Sequence, residues 1–154
     1  MRTLLKTAVA LSILACALGA AAQQQDRGYW QAASHTAAGV TGDITISDTK
    51  LTIDFKAFAL ASIRNLKPVE VSSVFDADVN AAGPGTLYRL NIAGDQRFVH
   101  KNTLCGTENT QWMATYLTGK TLQAAFFSGD AEPVFSFDAI SHSANLCGTY
   151  TYVR

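Results

Sequence analysis

Beyond residue 28 the apolar positions of this chain recur every second residue. Ile44 and Ile46 alternate with Thr45 and Ser47, and Leu51, Ile53 and Phe55 alternate with Thr52 and Asp54. Strict alternation places one set of side chains on a buried face and the other in solvent, the mark of a β-strand. Ser47 to Lys50, short and polar, joins these two runs as a hairpin turn. The same logic predicts a strand with Val69, Val71, Ser73 and Phe75 on one face and Glu70, Ser72 and Asp76 on the other. A further strand carries Tyr88, Leu90 and Ile92. Gly94-Asp95 then turns the chain into Arg97 to His100. Trp112, Ala114 and Tyr116 form the next alternating set, Gly119-Lys120 turns it, and Leu122, Ala124 and Phe126 return. Tyr150 and Tyr152 mark the last strand.

Phe58 to Leu66 has the Ala and Leu content of a short helix, but it lacks an N-cap and ends before Pro68, and it is predicted as strand. Asn80 to Gly85, with its Gly-Pro-Gly, is a loop. No long helical pattern occurs after the first segment. About eight to ten short strands joined by turns imply an all-β domain, either a single antiparallel small barrel of the lipocalin or calycin type or a sandwich. A barrel is favoured because closure removes exposed strand edges.

The N-terminus has a different pattern. Arg2 and Lys6 precede an uncharged apolar run, Thr7 to Ala20, which closes on Ala20-Ala21-Ala22. A basic start, an apolar centre and a small-residue end describe a helical secretory signal peptide, residues 1–22. Residues 23–28 then form a disordered polar lead and residues 29–154 the β-barrel domain. The chain is thus expected in the periplasm or secreted, with no membrane span after cleavage. Ile13-Leu14-Ala15-Cys16 approaches a lipobox and leaves lipidation at Cys16 as a minority alternative. Cleavage removes Arg2 and Lys6, so ten basic residues face twelve acidic ones. With no basic cluster, nucleic acid is not an expected partner.

Cleavage also leaves two cysteines, Cys105 and Cys147. In an oxidising compartment they are predicted to form a disulfide; zinc is disfavoured because C-x-x-C spacing and partner ligands are missing. His35, His100 and His142 lie on separate segments without metal-ligand spacing, and no G-x-S-x-G nucleophile elbow occurs. Asp76 and Asp78 precede a Gly/Pro loop, where Asp is common as a turn residue. No catalytic residue, metal or cofactor is expected.

The eight Phe, five Tyr and two Trp all follow residue 28. Most belong to the core, although in a small barrel some could line a cavity or its mouth. Trp112 and Tyr116 are the aromatic candidates. Lys101 to Thr110 is long and polar for a hairpin loop and is tethered by Cys105, which makes Asn102 and Glu108 candidate contact residues.

Thr41-Gly-Asp-Ile-Thr-Ile, Asn102-Thr-Leu-Cys-Gly106, Phe127-Ser-Gly129 and the ending Leu146-Cys-Gly-Thr-Tyr-Thr-Tyr-Val-Arg154 resemble an uncharacterised family of small exported proteobacterial proteins. That resemblance implies export and a two-cysteine β domain. A comparison with periplasmic inhibitors of c-type lysozyme finds only Ser128-Gly129 in common with their inhibitory loop, without their N-terminal cysteine pattern. The function expected is a non-enzymatic binding protein of the cell envelope, taking a small apolar or amphipathic ligand in the barrel cavity or mouth. The alternative is a protein-interaction module or enzyme inhibitor acting through Lys101 to Thr110.

Overall fold

A computed structural model describes residues 26–154. The expected signal peptide and Cys16 lie outside the described residues. Eight antiparallel strands form a closed barrel in sequence order: β1 (Gly28–Ala32), β2 (Ile44–Ile46), β3 (Lys50–Ile53), β4 (Lys56–Asn65), β5 (Gly85–Ile92), β6 (Thr110–Thr118), β7 (Thr121–Ser128) and β8 (Leu146–Val153). β1 closes the barrel onto β8, with Gln31 opposite Val153 and Ala32 opposite Tyr152. Every strand therefore has two neighbours, as the edge argument requires. Three short helices sit in the connections: α1 (His35–Val40), α2 (Pro68–Phe75) and α3 (Phe137–Ser141).

The interior is filled by side chains. Trp30, Ile44, Met113, Phe126 and Tyr152 are buried in one continuous cluster along the barrel. A second cluster lies outside the wall of β5, β6 and β7, where Leu87, Trp112, Ala114, Tyr116 and Phe127 pack with Val71, Val74 and Phe75 of α2 and with Phe135. β6 and β7 are thus buried on both faces, and their apolar runs are nearly continuous for that reason. Tyr150 meets Phe126 edge-on at 5.2 Å between ring centres.

Three sequence expectations are corrected. Residues 69–75 are helix α2, not strand. Pro68 stands in its first turn, Glu70 accepts a hydrogen bond from the Lys67 N–H at 2.8 Å, and Val71, Val74 and Phe75 make the buried face. Those residues fit period two and period 3.6 alike, and the local start signal decides. Phe55 does not continue the buried alternation of Leu51 and Ile53. Ile53 pairs with Lys56, so Asp54 and Phe55 form the two-residue hairpin loop. Of the disordered polar lead expected over residues 23–28, residues 23–25 lie outside the described residues, whereas Asp26 is buried and β1 starts at Gly28. Phe58 to Leu66 lies almost entirely in β4 as expected, whereas Arg97 to His100 enters a single 3-10 turn over Val99–Lys101.

The Cys105–Cys147 disulfide is present, with Cα atoms 5.0 Å apart. It ties the β5–β6 connection to the start of β8. No helix among the described residues is long and apolar enough to cross a membrane.

Candidate functional site

The residues leading into β1 cross one end of the barrel. Trp30 is fully buried and its indole N–H donates to the Asp26 carbonyl at 2.8 Å. Over the Trp30 ring, 4.3 Å from its centre, lies the Arg154 guanidinium, which also donates to the Arg27 carbonyl at 3.0 Å. The segment before β1 and the C-terminal residue are so held together, and Asp26 is set inside the barrel's end with only 6 % of its surface exposed.

There the Asp26 carboxylate receives two hydroxyls. Tyr88 Oη donates to Oδ2 at 2.7 Å and Thr115 Oγ1 donates to the same oxygen at 2.8 Å. Tyr88 points inward from β5 and Thr115 from β6. Burial first, and the neighbouring carboxylate second, push the Tyr88 phenol well above its ordinary range, so it stays a proton donor. The carboxylate borders a partly enclosed pocket of about 310 Å³. Leu66, Pro68, Pro84 and Leu117 supply its apolar walls, and Asn65 and Thr86 stand at its polar edge. Its shape depends on the Gly-Pro-Gly loop. A Cβ on Gly83 would lie 2.2 Å from the Leu117 carbonyl oxygen, and one on Gly85 would lie 2.8 Å from a Val71 methyl. Only glycine lets this loop pass so close to β6 and α2.

A second cleft of about 340 Å³ lies against the outward residues Tyr29, Thr45 and Thr52, which are in register across β1, β2 and β3. Tyr29 donates its phenol hydrogen to Asp43, and that bond together with the Ala32 N–H holds the Asp43 carboxyl below its ordinary range. Phe55 stands at the cleft's rim, fully exposed. Asp54 and Phe55 have φ of 48° and 62°, the left-handed region in which the second residue of such a turn is usually Gly. His100 and Lys101, which follow the cleft residue Val99, also have positive φ, 53° and 62°.

The four candidate contact residues are not brought together. Asn102 is exposed, but its side-chain N–H donates to the Gly39 carbonyl at 2.7 Å and so fastens the loop to α1. Glu108 is exposed on the same loop. Trp112 and Tyr116 are buried on the outer face of β6, beneath the helices; Trp112 stacks with Arg89 at 4.6 Å and donates to the Gly129 carbonyl, and Tyr116 packs against Phe75. Both are packing residues. Asp76 is the left-handed C-cap of α2, and Asp78 caps the Asn80 N–H, as turn chemistry predicts.

His35, His100 and His142 are exposed on three different segments. Ser141 Oγ does approach His142 Nδ1, at 3.2 Å, because α3 ends there rather than running on as a strand. The same nitrogen faces the Asp138 carbonyl oxygen at 2.9 Å, and the His142 and Asp138 side chains are largely exposed. Among the described residues no group of three His, Cys, Asp or Glu side chains could hold a metal.

Asp26 and Phe55 are the site residues that the sequence pattern does not single out. Asp26 lies in a stretch without periodicity, so its burial follows only from barrel closure. Phe55 continues an alternation that the turn interrupts. No protein-family model, curated protein or solved structure matches the chain.

Proposed function

We propose that this chain is a non-enzymatic binding protein of the cell envelope, and that a small amphipathic ligand is held at the barrel mouth beside Asp26. The observation that carries the reading is a buried carboxylate, supported by two hydroxyl donors, at the edge of an apolar-walled pocket. Its volume of about 310 Å³ is at the small end of ligand sites. The aromatic side chains fill the lumen, so the ligand is placed at the mouth and not along the barrel axis. The disulfide is in keeping with an oxidising compartment. Native mass spectrometry of protein purified from its own envelope is expected to find a small co-purified ligand, and Ala82→Trp at the pocket's edge is expected to remove it. Protein that carries no ligand, with Ala82→Trp making no difference, would overturn the reading.

A second reading, an interaction module or inhibitor working through Lys101 to Thr110, is favoured by the way that loop is fixed. The disulfide, the Asn102 bond to Gly39 and the bond from the Gly94 N–H to Asn109 hold it, while Gly106 to Glu108 face solvent. Asn102→Ala combined with Glu108→Ala should then abolish recovery of a partner from envelope extract. Unchanged recovery would exclude the loop as main contact.

A further inference from the structure

Among the described residues the Asp26 carboxylate is bound by hydroxyls and not by a charged side chain. Its Oδ2 takes both hydroxyl bonds, and Oδ1 accepts none from the described residues. Arg27, its neighbour in sequence, pairs instead with Asp48. The Arg154 guanidinium lies over Trp30. No ion pair to Asp26 forms among the described residues. No buried side-chain oxygen among the described residues lacks a partner, so Oδ1 is not sealed away but open toward the pocket that Asp26 lines, where a cation can pair with it.

We infer that the mouth pocket selects a ligand with a primary ammonium head on a short apolar stem, the ammonium at Asp26 Oδ1 and the stem between Leu66, Pro84 and Leu117. This rests on the binding reading above and names its ligand class. A guanidinium needs two acceptor oxygens side by side for its fork, and one of the two here is already saturated by hydroxyls. An ammonium is a compact point charge whose three donors can be shared between one carboxylate oxygen and the Asn65 amide at the pocket edge. Selection is electrostatic: an alcohol with the same stem gains the apolar contact but not the charge pairing.

Two isosteric probes test this on the mature protein, n-hexylammonium and 1-hexanol, titrated while backbone amide NMR shifts of Leu66, Thr86 and Leu117 are followed. Hexylammonium is expected to bind at least tenfold more tightly than hexanol, and Asp26→Asn to erase that difference. Asn keeps an oxygen for the Tyr88 and Thr115 hydroxyls, so folding should survive; should it not, the comparison of the two probes on the wild type still decides. Equal binding of both probes at these residues would overturn the ammonium inference and leave the mouth as a ligand site. Absence of any shift with either probe would overturn both.

Discussion

Arg64 grips Glu70 with both terminal nitrogens, Nη1 to Oε2 at 2.8 Å and Nη2 to Oε1 at 2.9 Å, fastening the end of β4 to the first turn of α2. Glu132 from the β7–β8 connection reaches the same guanidinium, its Oε1 lying 2.8 Å from Nε. The Arg64 hydrogen bonds, aided by the Lys67 N–H, hold the Glu70 carboxyl below its ordinary range. A depressed carboxyl pKa contributes stability that is fully present above the unfolded-state value, near pH 4.3, and is lost as pH falls through the lower folded-state value. The urea midpoint of the wild type should therefore drop on acidification below about pH 5, and Glu70→Gln should lack that part of the drop. Arg64→Ala is expected to cost about 1–2 kcal/mol at pH 7, as loss of charge-assisted hydrogen bonds to a half-buried carboxylate. An unchanged acid response in Glu70→Gln would show that the pair does not couple to folding.

Cys105 and Cys147 are 42 residues apart in sequence, and cross-linking a loop of that length removes unfolded-state entropy worth about 4 kcal/mol in the chain-entropy model. Cys105→Ala combined with Cys147→Ala should lower stability by about that amount. Thiol labelling of the unfolded, unreduced protein should find neither Cys105 nor Cys147 free. A midpoint equal to the wild type's would deny the bridge a stabilising role.

Alternation alone made most of the barrel legible. Tyr88 and Leu90 on β5 or Tyr150 and Tyr152 on β8 take the inner face that period two assigns. On β6 the same period was misleading about the face. Trp112, Ala114 and Tyr116 are in register with each other but point outward, because α2 and α3 give that wall a second core. Period two does not say which face is inside when both are covered. Of the candidate site, only the Gly-Pro-Gly loop was visible beforehand. Asp26 acquires its partners from residues 62 and 89 positions away, a proximity that exists only once the barrel closes.

Two glycines should respond in opposite directions to the same added methyl. Gly83→Ala puts a Cβ against the Leu117 backbone carbonyl, which cannot retreat without moving β6, and should destabilise by about 1–3 kcal/mol while deforming the mouth pocket. Gly39→Ala, within α1, meets nothing within 4 Å and should stabilise by about 0.5–1 kcal/mol through helix propensity. Thermal unfolding of both variants checks the pair. A neutral Gly83→Ala would mean that the loop stands farther from β6 than described.

Phe55 offers the clearest separation of local strain from burial. Its φ of 62° is unfavourable for a bulky side chain such as Phe, and its ring is fully exposed, so no packing offsets that cost. Replacing it by Gly frees the turn, loses no buried surface and makes the unfolded chain more flexible. The net expectation for Phe55→Gly is a gain of about 0.5–1 kcal/mol. Phe55→Asn should gain a similar amount, since Asn tolerates the left-handed region and adds less unfolded-state freedom. Urea denaturation of the three proteins at neutral pH measures this directly. A loss of stability in both variants would show that the Phe55 ring packs in solution, against Val99 or Tyr29 across the cleft, and that the turn strain is offset by that contact.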